Sequence, residues 1–279
     1  MKVINCFLFS IIIVSCNWSR PNKEKHFSDL PEVSFPYETI GEIPVPGGYN
    51  RVVDEKNSFA EWLRTIDLKR DSRIYLFNGR LREEQSTHFA VLDVPVGDKD
   101  LQQCADAVMR LRAEYFFSRD EMDSIRFRAT DGTDLSFAKW VKGERYQLKG
   151  NRLVAYQSGL CGGNKRSQLE QFLEVVFSYC GTISLDKETR RINDLDNLEA
   201  GDIFIKAGSP GHTMIVVDVA VNNKNEKIFM LAQGFMPAQS IHIVKNLLDE
   251  TISPWYKVPV EPKVITPDWV FYRNQLRSW

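Results

Sequence analysis

The sequence predicts an α+β fold, with helices packed on a small antiparallel sheet or half-barrel and an α/β extension on the N-terminal side. Apolar residues recur at helical spacing within residues 100–117 and 167–181. Runs rich in β-branched residues follow at 202–205, 212–221 and 228–233. The polar turn NNKNE separates the last two runs and indicates an antiparallel hairpin, and SIHIV supplies a fourth strand.

The first sixteen residues, MKVINCFLFSIIIVSC, are typical of an export signal. Lys2 gives a short positive start, and residues 3–14 are mostly apolar. This stretch is too short to span a membrane, which takes about 20 residues. Its end, IVSC, resembles a bacterial lipobox, and the resemblance implies cleavage before Cys16 and attachment of lipid to it. An ordinary secretory signal with an incidental cysteine is the alternative.

Residues 17–36 are predicted to form a tether, because they are polar, contain three prolines and show no sustained period. Residues 37–279 are predicted to form a single α+β domain. Lipid on Cys16 would make a membrane the partner of the protein, held at the bacterial cell envelope. Asn17 is not the acidic residue associated with inner-membrane retention in some bacteria, which favours the outer membrane.

The composition excludes some classes of partner. The net charge of −1 gives no electrostatic footprint for nucleic acid. Of the five cysteines, two lie in the signal, so three remain and at least one thiol stays unpaired within the chain. No CxxC pair or His/Cys cluster has the spacing of a metal site, and no cofactor is predicted.

The predicted elements before residue 120 are two helices and a strand. FAEWLRTIDL, from Phe59, has apolar residues at helical spacing, and THFAVLDVPVG indicates a strand that ends at Gly97. Asp100 is a good N-cap for the helix that follows. Cys104 lies on the apolar stripe of this helix, in its first turn or just beyond.

The second strongly predicted helix is SQLEQFLEVVFSYCG. Ser167 and Glu170 fit a capping box, and Gly181 stands where a C′ glycine belongs. Between the two helices, the segment IRFRATDGTDLSFAKWVKGERY shows mixed patterning around an Asp-Gly turn.

A helix followed by Gly-Asp and a strand (GDIFI), and then by Gly-His and a strand (GHTMIVVDVA), resembles the NlpC-type cell-wall cysteine peptidases and related papain-like amidases. The resemblance implies an NlpC-like core at about residues 160–245. It also implies that His212 takes a proton from a thiol and that Gln233, on the following strand, orients the imidazole. A helix N-terminus and a nearby imidazole favour the thiolate that such chemistry needs.

The chain departs from this pattern at the nucleophile, because no cysteine opens the helix at residue 167. Cys104 is the leading candidate, since a helix dipole favours its thiolate, although Asp106 opposes that shift. A buried cysteine that only packs is the alternative. Cys161, in a glycine-rich loop, is a second candidate. His26, His88 and His242 have no convergent partners in the sequence.

Two functions therefore stay open. The first is an envelope thiol amidase that acts on cell-wall peptides with Cys104, His212 and Gln233. The second is a catalytically inactive module that binds glycan or peptide, with Phe235, Trp255 and Tyr256 as contacts. Packing in a core is the alternative for these three aromatics. A purely structural envelope protein is a third possibility.

A broader resemblance covers nearly the whole chain. QQCADAVMRLRAEY, SPGHTMIVVDVA, LAQGFMPAQSIHIV, SPWY and TPDWVF together resemble a family of gut-bacterial lipoproteins that share a domain of unknown function. This resemblance supports the lipoprotein prediction and implies no particular activity.

Overall fold

The computed structural model describes residues 35–159 and 162–279, which form one compact unit. The predicted export signal with Cys16, nearly all of the predicted tether, and Cys161 lie outside the described residues. No helix in the described part is long and apolar enough to cross a membrane.

The helices of the described residues are short except for two. They are α1 (Phe59–Arg64), α2 (Cys104–Ser118), α3 (Phe137–Val141), α4 (Lys165–Tyr179) and α5 (Thr182–Glu188). The strands are β1 (Tyr49–Arg51), β2 (His88–Val91), β3 (Arg126–Arg128), β4 (Asp134–Ser136), β5 (Glu144–Lys149), β6 (Arg152–Gln157), β7 (Arg190–Arg191), β8 (Ile203–Lys206), β9 (His212–Asn222), β10 (Lys227–Gln233), β11 (His242–Val244), β12 (Tyr256–Lys257), β13 (Lys263–Ile265), β14 (Val270–Tyr272) and β15 (Leu276–Ser278).

A nine-stranded sheet dominates the described chain. Its main path runs β2-β11-β10-β9-β8-β15-β7, and β1 and β12 pair with β9 and β10 respectively. Every one of these pairings is antiparallel. The remaining strands form three separate two-stranded sheets, β3-β4, β5-β6 and β13-β14.

Strand β9 is the centre of this sheet, and alternate residues along it face two different apolar cores. Val217 packs in a core that includes Val108 of α2 and Phe172 of α4. Val216 packs in a second core that includes Phe271 of β14. Neighbouring residues of a strand point to opposite faces, so β9 contributes to both cores. The helices cover one of these faces, and the C-terminal strands cover the other.

One buried carboxylate ties the N-terminal segments to β9. Asp218 is fully buried and accepts hydrogen bonds from Arg51 Nε at 2.7 Å and Arg64 Nε at 2.6 Å. A buried charge is tolerated only when it is paired. These two ion pairs therefore fix β1 and α1 against the central strand.

The predicted NlpC-like fold, with helices packed on a small sheet or half-barrel, is wrong. The sheet has nine strands and is the main body of the described chain. Its added strands β1, β2, β7, β12 and β15 come largely from outside residues 160–245 and are only two to four residues long. Of these five, only β2 was predicted from the sequence, because strands of two or three residues carry no detectable two-residue period.

The long elements agree better with prediction. The β9–β10 hairpin is confirmed, with its turn in NNKNE and one register shift at Met230/Leu231. The helix at Phe59 is confirmed, capped by Ser58. The predicted strand up to Gly97 is shorter and ends at Val91.

The predicted N-cap of α2 is wrong by three residues. Gln103 is the N-cap, and its main-chain N–H donates to Asp106 Oδ2 at 3.0 Å. Asp100 Oδ1 is engaged elsewhere, because it accepts from the main-chain N–H of Ala238 at 2.7 Å. Cys104 is consequently the first residue of the helix.

Helix α4 also begins earlier than predicted. Asn164 is its N-cap, accepting from the main-chain N–H of Ser167 at 2.9 Å. Glu170 pairs instead with Arg110 of α2, at 2.6 Å between Nη2 and Oε2. The predicted end of α4 is confirmed, because the helix stops at Tyr179 with Cys180 as its C-cap, which makes Gly181 the C′ residue; α5 begins at the next residue.

Candidate functional site

A cleft of about 590 Å³ lies where the start of α2 meets the beginning of β9. Its walls come from residues 100–106, 177–182, 208–212 and 235–236, together with Trp269. Cys104, His212 and Phe235 all line it, as does a second free cysteine, Cys180. The structure therefore brings together residues that are more than 100 positions apart in the sequence.

Cys104 lies at the N-terminus of α2 and is 7% exposed. Burial raises the pKa of its thiol, and the nearby Asp106 raises it further. Hydrogen bonds from the main-chain N–H groups of Thr213, Ala105 and Cys104 itself act in the opposite direction and lower that pKa. The free protein thus holds a neutral thiol beside donors that could stabilise a thiolate.

His212 is the first residue of β9, and its side chain is hydrogen-bonded to β10. Its Nε2 lies 2.7 Å from Gln233 Oε1, and its Nδ1 has no hydrogen-bond partner among the described residues. Burial lowers the pKa of the imidazole, while the hydrogen bond to Gln233 and the charge of Asp268 raise it. The ring is therefore neutral at pH 7.

Aromatic rings enclose this imidazole. The ring centroids of Trp269 and Phe235 lie 5.1 Å and 5.3 Å from that of His212, and Phe271 stacks at 5.9 Å. Such packing leaves the ring little freedom to turn. Phe235 was predicted as a binding contact, and its ring forms one wall of the cleft.

Gln233 is fully buried and belongs to a polar network that the sequence did not reveal. Its Nε2 donates to Asp268 Oδ2 at 2.6 Å and lies 3.1 Å from His242 Nε2. Arg82 pairs with Asp268 at 2.7 Å. His242 thus has convergent partners, because strand pairing sets it opposite Gln233.

Helix α2 approaches the sheet closely at Gly234. A Cβ at this position would lie 2.6 Å from Gln103 O and 2.9 Å from Ala107 Cβ. Both distances are shorter than van der Waals contact. The glycine therefore allows the first turn of α2, with Cys104, to lie against the end of β10.

The other predicted contacts lie away from the cleft. Trp255 is 1% exposed and donates from Nε1 to Pro44 O at 2.8 Å. Tyr256 is 5% exposed and donates to Lys245 O. Both rings are buried in the apolar cores and do not line the cleft that holds Cys104.

In the described part of the chain, no group of three or more His, Cys, Asp or Glu side chains could hold a metal ion.

Asp106, next to this thiol, should make the stability of the protein depend on pH. Burial raises its pKa from 3.8 to about 8. Between these values the native state holds a proton that the unfolded chain has released. The unfolding free energy should therefore fall as pH rises, by about 1.4 kcal/mol per pH unit from this group. Asp106→Asn should remove this slope in urea unfolding measured at pH 5, 6 and 7.

Asp71→Asn is the matched control. Hydrogen bonds from Arg73 lower the pKa of Asp71 from 3.8 to about 2. Its contribution to stability is therefore present above about pH 4 and is lost only as pH falls through that range. The slope between pH 5 and 7 should be unchanged in this variant. An unchanged slope in Asp106→Asn would show that Asp106 is ionised in the folded protein.

The sequence of the described domain matches one protein-family model. The family model described as "Domain of unknown function (4846)" matches residues 40–278. No curated protein and no solved structure matches the chain. The matched region contains Cys104, His212, Gln233 and Asp268, and it confirms the predicted resemblance to a family of unknown function. The chain belongs to the DUF4846 family.

Proposed function

We propose that the protein is a thiol amidase of the bacterial envelope, with Cys104 as nucleophile, His212 as base and Gln233 as the residue that orients the imidazole. One observation carries the proposal. Cys104 opens a helix in the cleft that His212 also lines, while His212 keeps Nδ1 free and bonds Gln233 through Nε2. Nucleophile, base and orienting group are the parts that thiol catalysis requires.

The proposed reaction begins with a neutral pair. His212 Nδ1 accepts the Cys104 proton, and the sulfur attacks the carbonyl carbon of a bound amide. The N–H groups of Thr213, Ala105 and Cys104 offset the negative charge on sulfur. The imidazolium then gives its proton to the leaving amine, which leaves a thioester. Water, deprotonated by His212, hydrolyses the thioester and restores the thiol.

The proposed substrates are the stem peptides and cross-links of the cell wall. The export signal and lipobox-like IVSC support a position at the envelope, lipid-anchored through Cys16 and favouring the outer membrane. A tether of 17–36 would let the domain reach away from the lipid surface. An amidase held there would be able to reach wall peptides.

A second candidate is a non-catalytic module that binds wall peptide or glycan in the same cleft. The burial of Cys104 and its raised pKa favour this candidate, because an inert thiol needs no exposure. Phe235 and Trp269 would supply stacking surfaces beside His212. The reactivity of Cys104 separates the two candidates.

Alkylation of the folded protein with iodoacetamide, mapped by mass spectrometry, should label Cys104 faster than Cys180. Both thiols line the cleft, but the pKa of Cys180 is raised strongly by burial and by nearby acids. His212→Ala should slow the labelling of Cys104 about 10-fold and leave that of Cys180 unchanged, because only Cys104 depends on the imidazole. Labelling of Cys104 only after unfolding would favour the binding module.

Digestion of purified cell wall should release new amino and carboxyl groups in pairs. The wild-type protein is expected to hydrolyse peptide bonds that liquid chromatography and mass spectrometry can locate. Cys104→Ala should abolish hydrolysis, while Cys180→Ala, a change of the same size in the same cleft, should retain it. Retained hydrolysis in Cys104→Ala would eliminate this nucleophile.

The anchor has its own test, because lipid attachment requires the thiol of residue 16. Cells fed a labelled fatty acid should incorporate it into the wild-type protein. Cys16→Ser should lose the label and leave the membrane fraction, whereas Cys6→Ser should keep both. Membrane association that survives Cys16→Ser would show that another segment binds the bilayer.

A further inference from the structure

We infer that His242 and Asp268 are positioning residues that fix the Gln233 amide and, through it, the tautomer of His212. The consequence for catalysis rests on the proposed function, whereas the tautomer itself does not.

Asp268 sets the direction of the amide. Its Oδ1 accepts from Arg82 Nη2 at 2.7 Å in an ion pair, and the oxygens of a carboxylate in an ion pair offer only acceptors. The group 2.6 Å from its Oδ2 must therefore be the NH₂ of Gln233. A flipped amide would instead place Oε1 against a carboxylate oxygen.

His242 favours the same direction of the amide. Its Nδ1 lies 2.9 Å from the carbonyl oxygen of Ser240, which can only accept, so Nδ1 carries the proton. Burial lowers the pKa of this ring to about 3, which keeps it neutral. Its Nε2 is then an acceptor, and it faces Gln233 Nε2 at 3.1 Å and Arg82 Nη1 at 3.4 Å.

The amide passes this constraint on to His212. With both hydrogens of its NH₂ committed, Gln233 presents Oε1 to His212 Nε2 at 2.7 Å. A carbonyl oxygen requires a donor, so Nε2 of His212 carries the proton and Nδ1 carries the lone pair. Nδ1 has no partner among the described residues and is the nitrogen left to accept a proton at the cleft.

The network lies apart from the thiol, so its effect is indirect. His242 is fully buried, and neither it nor Asp268 lines the cleft. The two residues act through Gln233 and are not catalytic residues themselves. Losing either should leave Cys104 in place but let Gln233 turn over, so that a share of His212 carries its proton on Nδ1.

Nitrogen NMR of the imidazole rings tests this directly. In the ¹⁵N-labelled wild-type protein, with signals assigned by His212→Ala, His212 should be protonated on Nε2 and bare on Nδ1. Asp268→Asn and His242→Phe should each give a mixture of tautomers and slow Cys104 alkylation, but by less than His212→Ala does, because part of His212 keeps its lone pair on Nδ1. His88→Phe is the matched control: its ring is buried 6.1 Å from that of His242 without contacting Gln233, and the tautomer should stay unchanged.

The wild-type spectrum alone can overturn the inference, even if a variant fails to fold. Protonation of His212 on Nδ1 would contradict it, as would an unchanged tautomer in both folded variants. If His212 has the expected tautomer but Cys104 is unreactive, the proposed amidase is contradicted and the positioning network is still supported. A reactive Cys104 that depends on His212, with the opposite tautomer, would do the reverse.

Discussion

Strand β9 is buried over nine consecutive residues, from His212 to Ala220, and the fold follows from the need to cover it. A strand in this position must hydrogen-bond along both edges and pack on both faces. β8 and β10 satisfy most of the edges, helices α1 and α2 lie on one face, and the C-terminal strands lie on the other. The cleft forms where this cover stops, at the residue that begins the strand.

In the site, burial and nearby hydrogen-bond donors have opposite effects on the pKa of the Cys104 thiol. Burial keeps both the Cys104 thiol and the His212 imidazole neutral, and main-chain N–H groups around the sulfur oppose this for the thiol. Because neither group is charged, no ion pair fixes the positions of the Cys104 and His212 side chains, and packing has to fix them instead. Trp269 and Phe271 against the imidazole supply that packing.

The sequence predicted well those features that depend on residues close together in the chain. The stripe of α2 and the turn between β9 and β10 were visible because each lies within a dozen residues. Pairing across this hairpin, with β10 continuing to Gln233, was also deducible. Asp268 was not, because it reaches Gln233 from 35 positions away and no periodicity records such a contact. The two interpretations of Trp255, core packing and groove contact, could not be separated, since an aromatic looks the same in sequence in either place; the structure buries it.

Gly234 allows α2 to lie close to the sheet, because glycine has no Cβ to separate them. Its neighbours, Gln103 O and Ala107 Cβ, already occupy the space that any side chain would need. An alanine there would push the first turn of α2 outward by a fraction of an ångström or more, and Cys104 would move with it. The absence of a side chain at residue 234 therefore sets how closely Cys104 can approach the end of β10.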